Sequence, residues 1–107
     1  MCGIATILRL GTADVPGCAI ATMTERVAHR GPDGHGTLLL APQAGGWRET
    51  SEQDPAWQVA LGHRRLSILD LSPAGRQPMR RGEQLWITYN GEAYNYVEVR
   101  RELAALG

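Results

Sequence analysis

Residues 1–10 read "MCGIATILRL". From position 3 the run is rich in apolar and β-branched residues, the composition of a buried strand. A strand that begins this early puts Cys2 at its head. Second residues are commonly exposed and frayed, so a thiol there needs a reason. Two readings stand. As a small hydrophobe, Cys2 packs on the first strand. As a nucleophile, it attacks as the thiolate and needs a base. Loss of Met1 would supply one, because a freed α-amino group titrates near roughly 7.7–8.0, close to working pH.

Working outward, "GTADVPG" ends the strand. Ile20, Met23 and Val27 recur at helical spacing and predict a helix over 17–29 with one apolar face. "HRGPDGHG", residues 29–36, holds too much glycine and proline for regular structure. It is not a phosphate loop: the spacing is wrong and Pro32 removes a donor. Asp33 is expected to bond backbone amides across a sharp chain reversal. His29 and His35 lack a third ligand for a metal.

"TLLLA" reads as a second strand. Residues 42–57, polar and without a period, read as a functional loop or an insertion. "QVALGHRRLSIL" is a third strand running into a turn. "QLWITYN" is a fourth, with Leu85, Ile87 and Tyr89 on one face and Trp86 and Thr88 on the other. A closing helix starts near Asn95, where Asn95 and Glu98 have capping-box spacing. Val99, Leu103 and Leu106 line one of its faces. Strand, helix, several strands and helix predict an α+β fold, a mixed sheet with helices against it.

The chain has 107 residues, 43% apolar and 21% charged, the make-up of one globular domain or part of one. Eleven basic residues balance 11 acidic ones. That argues against nucleic acid and against a membrane surface as partners. No signal-peptide pattern is present, so a cytoplasmic location is expected, with Cys2 and Cys18 unbridged.

Two further stretches carry chemistry. "NGEAYN", residues 90–95, opens on a turn dipeptide. The same pair offers the Asn90 side-chain amide and the Gly91 backbone N–H, two donors suited to an oxyanion. In "GHRRLSIL", residues 62–69, alternation sends Arg64 and Arg65 to opposite faces. One is left to solvent. The other sits on an inner face and needs an anion, for which a guanidinium fork matches a carboxylate.

Together "MCGI", "HRGPDG", "GHRRLSILD", "QPM" and "NGEAYN" resemble the class II glutamine amidotransferases, in particular the glutaminase domain of asparagine synthetases. The resemblance runs from Met1 to Gly107. It implies an N-terminal-nucleophile hydrolase of the αββα sandwich type, with only its first half present in residues 1–107. Cys2 would attack the side-chain amide of L-glutamine, and Asn90 and Gly91 would hold the oxyanion. Arg65 would grip the substrate carboxylate, so Arg64 is the solvent-facing one. Leu66, Ser67, Ile68 and Leu69 would line the pocket with Asn90, Gly91 and Glu92.

The resemblance implies no cofactor and no metal in this domain. ATP and Mg are expected only in a synthetase domain, the expected partner that would consume the ammonia. A homo-oligomer is a further expectation. The family's acidic residue for the substrate α-amino group falls beyond the last helix here, so these 107 residues alone are expected to be inactive. The alternative reading is a catalytically silent remnant that binds an amino acid or a partner chain.

Overall fold

The structure, a computed structural model, describes residues 1–11, 13–68 and 71–107. Strand β1 (Gly3–Leu8) leads to helix α1 (Ala19–Arg26) and a single 3-10 turn at Ala28–Arg30. Strands β2 (Gly34–Gln43), β3 (Gly46–Thr50) and β4 (Val59–Arg65) follow. A second 3-10 turn spans Pro73–Gly75, then come β5 (Met79–Arg81), β6 (Leu85–Ile87) and helix α2 (Tyr96–Leu106). The fold is α+β, as expected, and the sheets are antiparallel rather than mixed. The main sheet has the order β1-β4-β2-β3, and β5 and β6 form a separate two-stranded ribbon.

Register places Ala5 and Thr37 on either side of Gly62, and Ile7 and Leu39 on either side of Ala60. These positions share one face. Against it lies α1, whose Ile20 and Thr24 are buried. The core is Ala5, Ile20, Leu39, Trp57 and Ala60, flanked by Ile7 and Val15. Burying Ile20 fully contributes roughly 1.5–3 kcal/mol relative to leaving it exposed. Gly62 permits the close approach: a Cβ there would strike the Thr24 hydroxyl and Ile20. The Thr24 hydroxyl is satisfied by donating to the Ile20 carbonyl at 2.7 Å.

Several elements differ from the sequence expectations. The helix expected over 17–29 ends at Arg26, and its buried residues are Ile20 and Thr24 while Met23 is 41% exposed. β1 is an edge strand buried on one face only, with Ile4, Thr6 and Leu8 outward. The polar stretch 42–57 is not a plain loop. It contains β3, joined to β2 through Ala44 and Gly45, the latter at φ +80°. Pro42 is tolerated inside β2 because it lies past the last residue that pairs with β4, so no rung is lost there.

After β3, Asp54 closes the chain onto itself. Its carboxylate accepts from Thr50 Oγ1 at 2.5 Å, Arg48 Nη2 at 2.7 Å and the Ala56 N–H at 2.8 Å. Those bonds, the Thr50 hydroxyl first, hold its pKa down at about 2. The expected fourth strand, 84–90, is regular only over Leu85–Ile87, and its partner β5 was not anticipated. Helix α2 begins close to the expected place, but Asn95 makes no side-chain cap bond. Its Val99, Leu103 and Leu106 are exposed rather than docked.

Candidate active site

The pairing of Gly3 with Arg64 carries Cys2 to the end of β4, beside Leu66. There the thiol sulfur accepts the Leu66 N–H at 3.3 Å, and the S–H reaches the Leu66 carbonyl at 3.8 Å. The backbone of Cys2 is held too, its carbonyl accepting from Arg30 Nε at 3.3 Å. Cys2 is half-buried and Cys18 exposed, and both are free thiols.

The "HRGPDG" segment is the brace for this corner. Its Asp33 N–H donates to the Arg65 carbonyl at 3.0 Å, and its carboxylate accepts the Ser67 N–H at 2.7 Å. The Asp33 carboxylate therefore bonds a backbone amide, as expected, but that amide is Ser67 beyond β4 rather than one in its own loop. Gly31 makes the reversal possible, since a Cβ there would collide with the backbone of Arg64 and Arg65.

The two arginines do part to opposite faces, but neither lies in solvent. Arg64 is 9% exposed. It is ion-paired to Glu25 and donates from Nε to the Thr24 carbonyl at 3.2 Å. The solvent place expected for Arg64 is thus corrected. Facing α1, its head has a carboxylate and a carbonyl at the helix's last turn, where a cation is favoured. Arg65 faces the other way, lies against Gly75, and donates from Nη1 to the Ser72 carbonyl at 2.7 Å.

A cavity of about 490 Å³ opens on that second face. Cys2, Arg65, Leu66, Ser67, Ile68, Asn90, Gly91 and Glu92 all line it. Leu69, expected beside them, lies outside the described residues. Residues separated by almost the whole chain therefore meet at one hollow: a thiol, a guanidinium and an Asn-Gly pair. A second hollow of about 340 Å³ adjoins it and shares His63, Arg65, Ser67 and Gln77.

Among the lining residues not named as site residues from the sequence are His63, Gln77 and Tyr89. His63 Nε2 lies 3.2 Å from the Tyr89 carbonyl, and Gln77 Oε1 accepts the Tyr89 N–H at 2.5 Å. Burial pushes the His63 pKa down; the bond to Tyr89 opposes this and the Arg65 charge adds to it. His63 sits inside the quoted "GHRRLSIL", and alternation alone places it on the Arg65 face. That was the available signal. Gln77 had none beyond its place in "QPM".

The chain was compared with known proteins. A family model for the glutamine amidotransferase domain matches residues 1–107. Asparagine synthetase [glutamine-hydrolyzing] 1 of Bacillus subtilis (strain 168) is 38% identical over 88 residues, 82% of this chain and 11% of its own. Putative asparagine synthetase [glutamine-hydrolyzing] 2 of Methanocaldococcus jannaschii is 35% identical over 117 aligned positions, 95% of this chain and 20% of its own. Amidase chry2 of Gibberella zeae is 38% identical over 87 residues, 79% of this chain and 11% of its own. The chain thus spans a fifth or less of the length of these relatives. No solved structure matches.

Proposed function

Because the chain belongs to the glutamine amidotransferase family, we propose that the Cys2 cavity hydrolyses the side-chain amide of L-glutamine and releases ammonia. The observation that carries the reading is the meeting of the Cys2 thiol, Arg65 and the Asn90–Gly91 pair around one hollow. Each has the chemistry of one requirement of amide cleavage.

On this reading Met1 is removed, and the α-amino group of Cys2 takes the thiol proton. Sγ attacks the amide carbon, and the carbonyl oxygen gains the negative charge. The Asn90 side-chain amide and the Gly91 N–H donate to it. As the intermediate collapses the C–N bond breaks, and the amine leaves as ammonia with the proton from the α-ammonium. Water then adds to the thioester, giving glutamate and restoring the thiol. Arg65 grips the substrate carboxylate with its guanidinium. Leu66 to Leu69 and Glu92 complete the walls.

The same reading makes 1–107 part of an αββα sandwich of the N-terminal-nucleophile type, working in the cytoplasm. The ammonia serves an amide-forming reaction of the asparagine-synthetase kind in a partner synthetase domain, with oligomer formation an additional property. ATP and Mg belong to that partner reaction. Among the described residues that line the cavity, Glu92 is the one carboxylate, and a magnesium ion takes an octahedral set of oxygen ligands. Intact mass of the expressed protein tests for loss of Met1, and ammonia release from glutamine tests the reaction. A Cys2→Ala protein that still releases ammonia at the full rate refutes the assignment.

A further inference from the structure

We infer that His63 is a positioning residue: its Nε2–H holds the Tyr89 carbonyl and thereby aims the Asn90 and Gly91 donors at Cys2. The inference rests on the oxyanion role proposed above for Asn90 and Gly91.

His63 is 1% exposed, so its ring presents almost no open surface although it borders the cavity. Its Cα is fixed on both sides, by Ile4 of β1 and Gly36 of β2. From that fixed point Nε2 lies 3.2 Å from the Tyr89 carbonyl oxygen. A carbonyl only accepts, so the hydrogen in this bond belongs to His63. The neutral ring therefore carries its proton on Nε2.

What the bond achieves follows from planarity. The Tyr89 carbonyl and the Asn90 N–H belong to one peptide plane. Holding the oxygen sets the direction in which Asn90 leaves β6. Gln77 Oε1 takes the Tyr89 N–H from the other side. Tyr89 is thus pinned at both backbone groups, immediately before residues 90–92, which are exposed. An oxyanion donor misplaced by about an ångström loses much of its worth. The exposed segment takes its alignment from the buried histidine through Tyr89, the residue just before it.

The test has two readouts on the full-length chain. Long-range proton–nitrogen correlation of the His63 imidazole reports its tautomer without any substitution. The Nε2–H form is expected at neutral pH, and the Nδ1–H form overturns the inference. The second readout is kinetic. His63→Leu removes the donor, whereas His63→Gln places an amide N–H at similar reach. His63→Leu is expected to lower kcat for glutamine by about tenfold or more, with KM within about threefold. His63→Gln should recover most of that loss. Equal loss in both variants, or a change confined to melting temperature, overturns it. Cys2→Ala run alongside separates the two levels. Ammonia release that ignores Cys2 refutes the reading of the site, while the tautomer still decides the His63 contact.

Discussion

At the scale of single residues, Arg64 and Arg65 stand one step of alternation apart, one packed against α1 and the other lining the cavity. Arg64 braces α1 against β4 through Glu25 and the Thr24 carbonyl. Glu25 keeps 73% of its side chain exposed, so the ion pair itself is screened and modest. The cost of losing Arg64 lies in its buried stem and in the unfilled space. Arg64→Ala is therefore expected to destabilise the fold by roughly 1–3 kcal/mol, read by thermal melting, with glutamine KM hardly changed. Arg65→Lys should behave in reverse. It keeps the charge and loses the fork, so KM should rise about tenfold, ~1.4 kcal/mol, at near-constant melting temperature. If both variants move KM alike, the division of faces does not govern the site. Cys2 and Cys18 divide similarly. Cys18 is exposed, so Cys18→Ala should leave glutamine hydrolysis intact where Cys2→Ala abolishes it.

At the scale of elements, the segment after β6 has two readings, a turn and an oxyanion site, and a single substitution separates them. Asn90→Ala is expected to lower kcat about 10²–10³-fold, the cost of one oxyanion donor. A dipeptide serving only as a turn would instead lose stability with modest kinetic change, so melting and kcat measured together decide. The parts of this site that could be read from sequence were those marked by position or by turn chemistry. Cys2 at the head of the first strand, the glycine-rich 29–36 loop and the Asn-Gly pair are of that kind. What escaped was built from pairing. β3 has no buried residue, and its exposed Arg48 and Glu49, on opposite faces, are both charged, so no alternation marks it. β5 is a three-residue strand with every residue exposed. The capping box at Asn95 had the right spacing, but the side chain makes no cap bond. Spacing supplies only the opportunity for such a contact.

The β3 turn and the buried histidine both give stability a dependence on acidity, in the same direction. Asp54 has its folded pKa lowered to about 2. Its contribution is whole above the unfolded value of 3.8 and fades as pH falls from there toward about 2. His63 also has a lowered folded pKa, from an ordinary 6.5. A histidine kept neutral in the fold contributes its full share above 6.5, and that share is lost as pH falls and the unfolded chain takes up the proton. Melting temperature should therefore decline below about pH 6.5 and decline again below about pH 4. His63→Gln should remove the first step and Asp54→Asn the second. A wild-type melting temperature flat from pH 7 to pH 5 contradicts the buried, neutral histidine.

At the scale of the whole molecule, order is unevenly distributed. The molecule is flat, 44 × 37 × 20 Å, because α1 covers one face of the main sheet while the other keeps Ile4 and Leu8 at 39% and 59% exposure. β4 is paired on both sides and carries Ala60, Gly62, His63 and Arg64, all buried. Helix α2 stands at the other extreme, with no buried residue among its 11. A helix of that length with no docked face is marginal in water. Amide hydrogen exchange should therefore be slowest in β4 and the β2 residues paired with it, and fastest in α2, since protection follows local burial. The catalytic consequence follows from where the site lies on this gradient. Cys2 and Leu66 belong to the ordered corner, but Asn90, Gly91 and Glu92 are exposed and run into α2. Tyr89, just before them, is held by His63 of β4 and by Gln77. The 107-residue polypeptide by itself should hydrolyse glutamine poorly, with its 90–95 amides exchanging nearly as fast as those of α2. Covering α2 and the open sheet face with whatever surface they meet should slow that exchange and raise kcat together. Fast turnover with residues 90–95 still unprotected would show that the oxyanion donors need no such support.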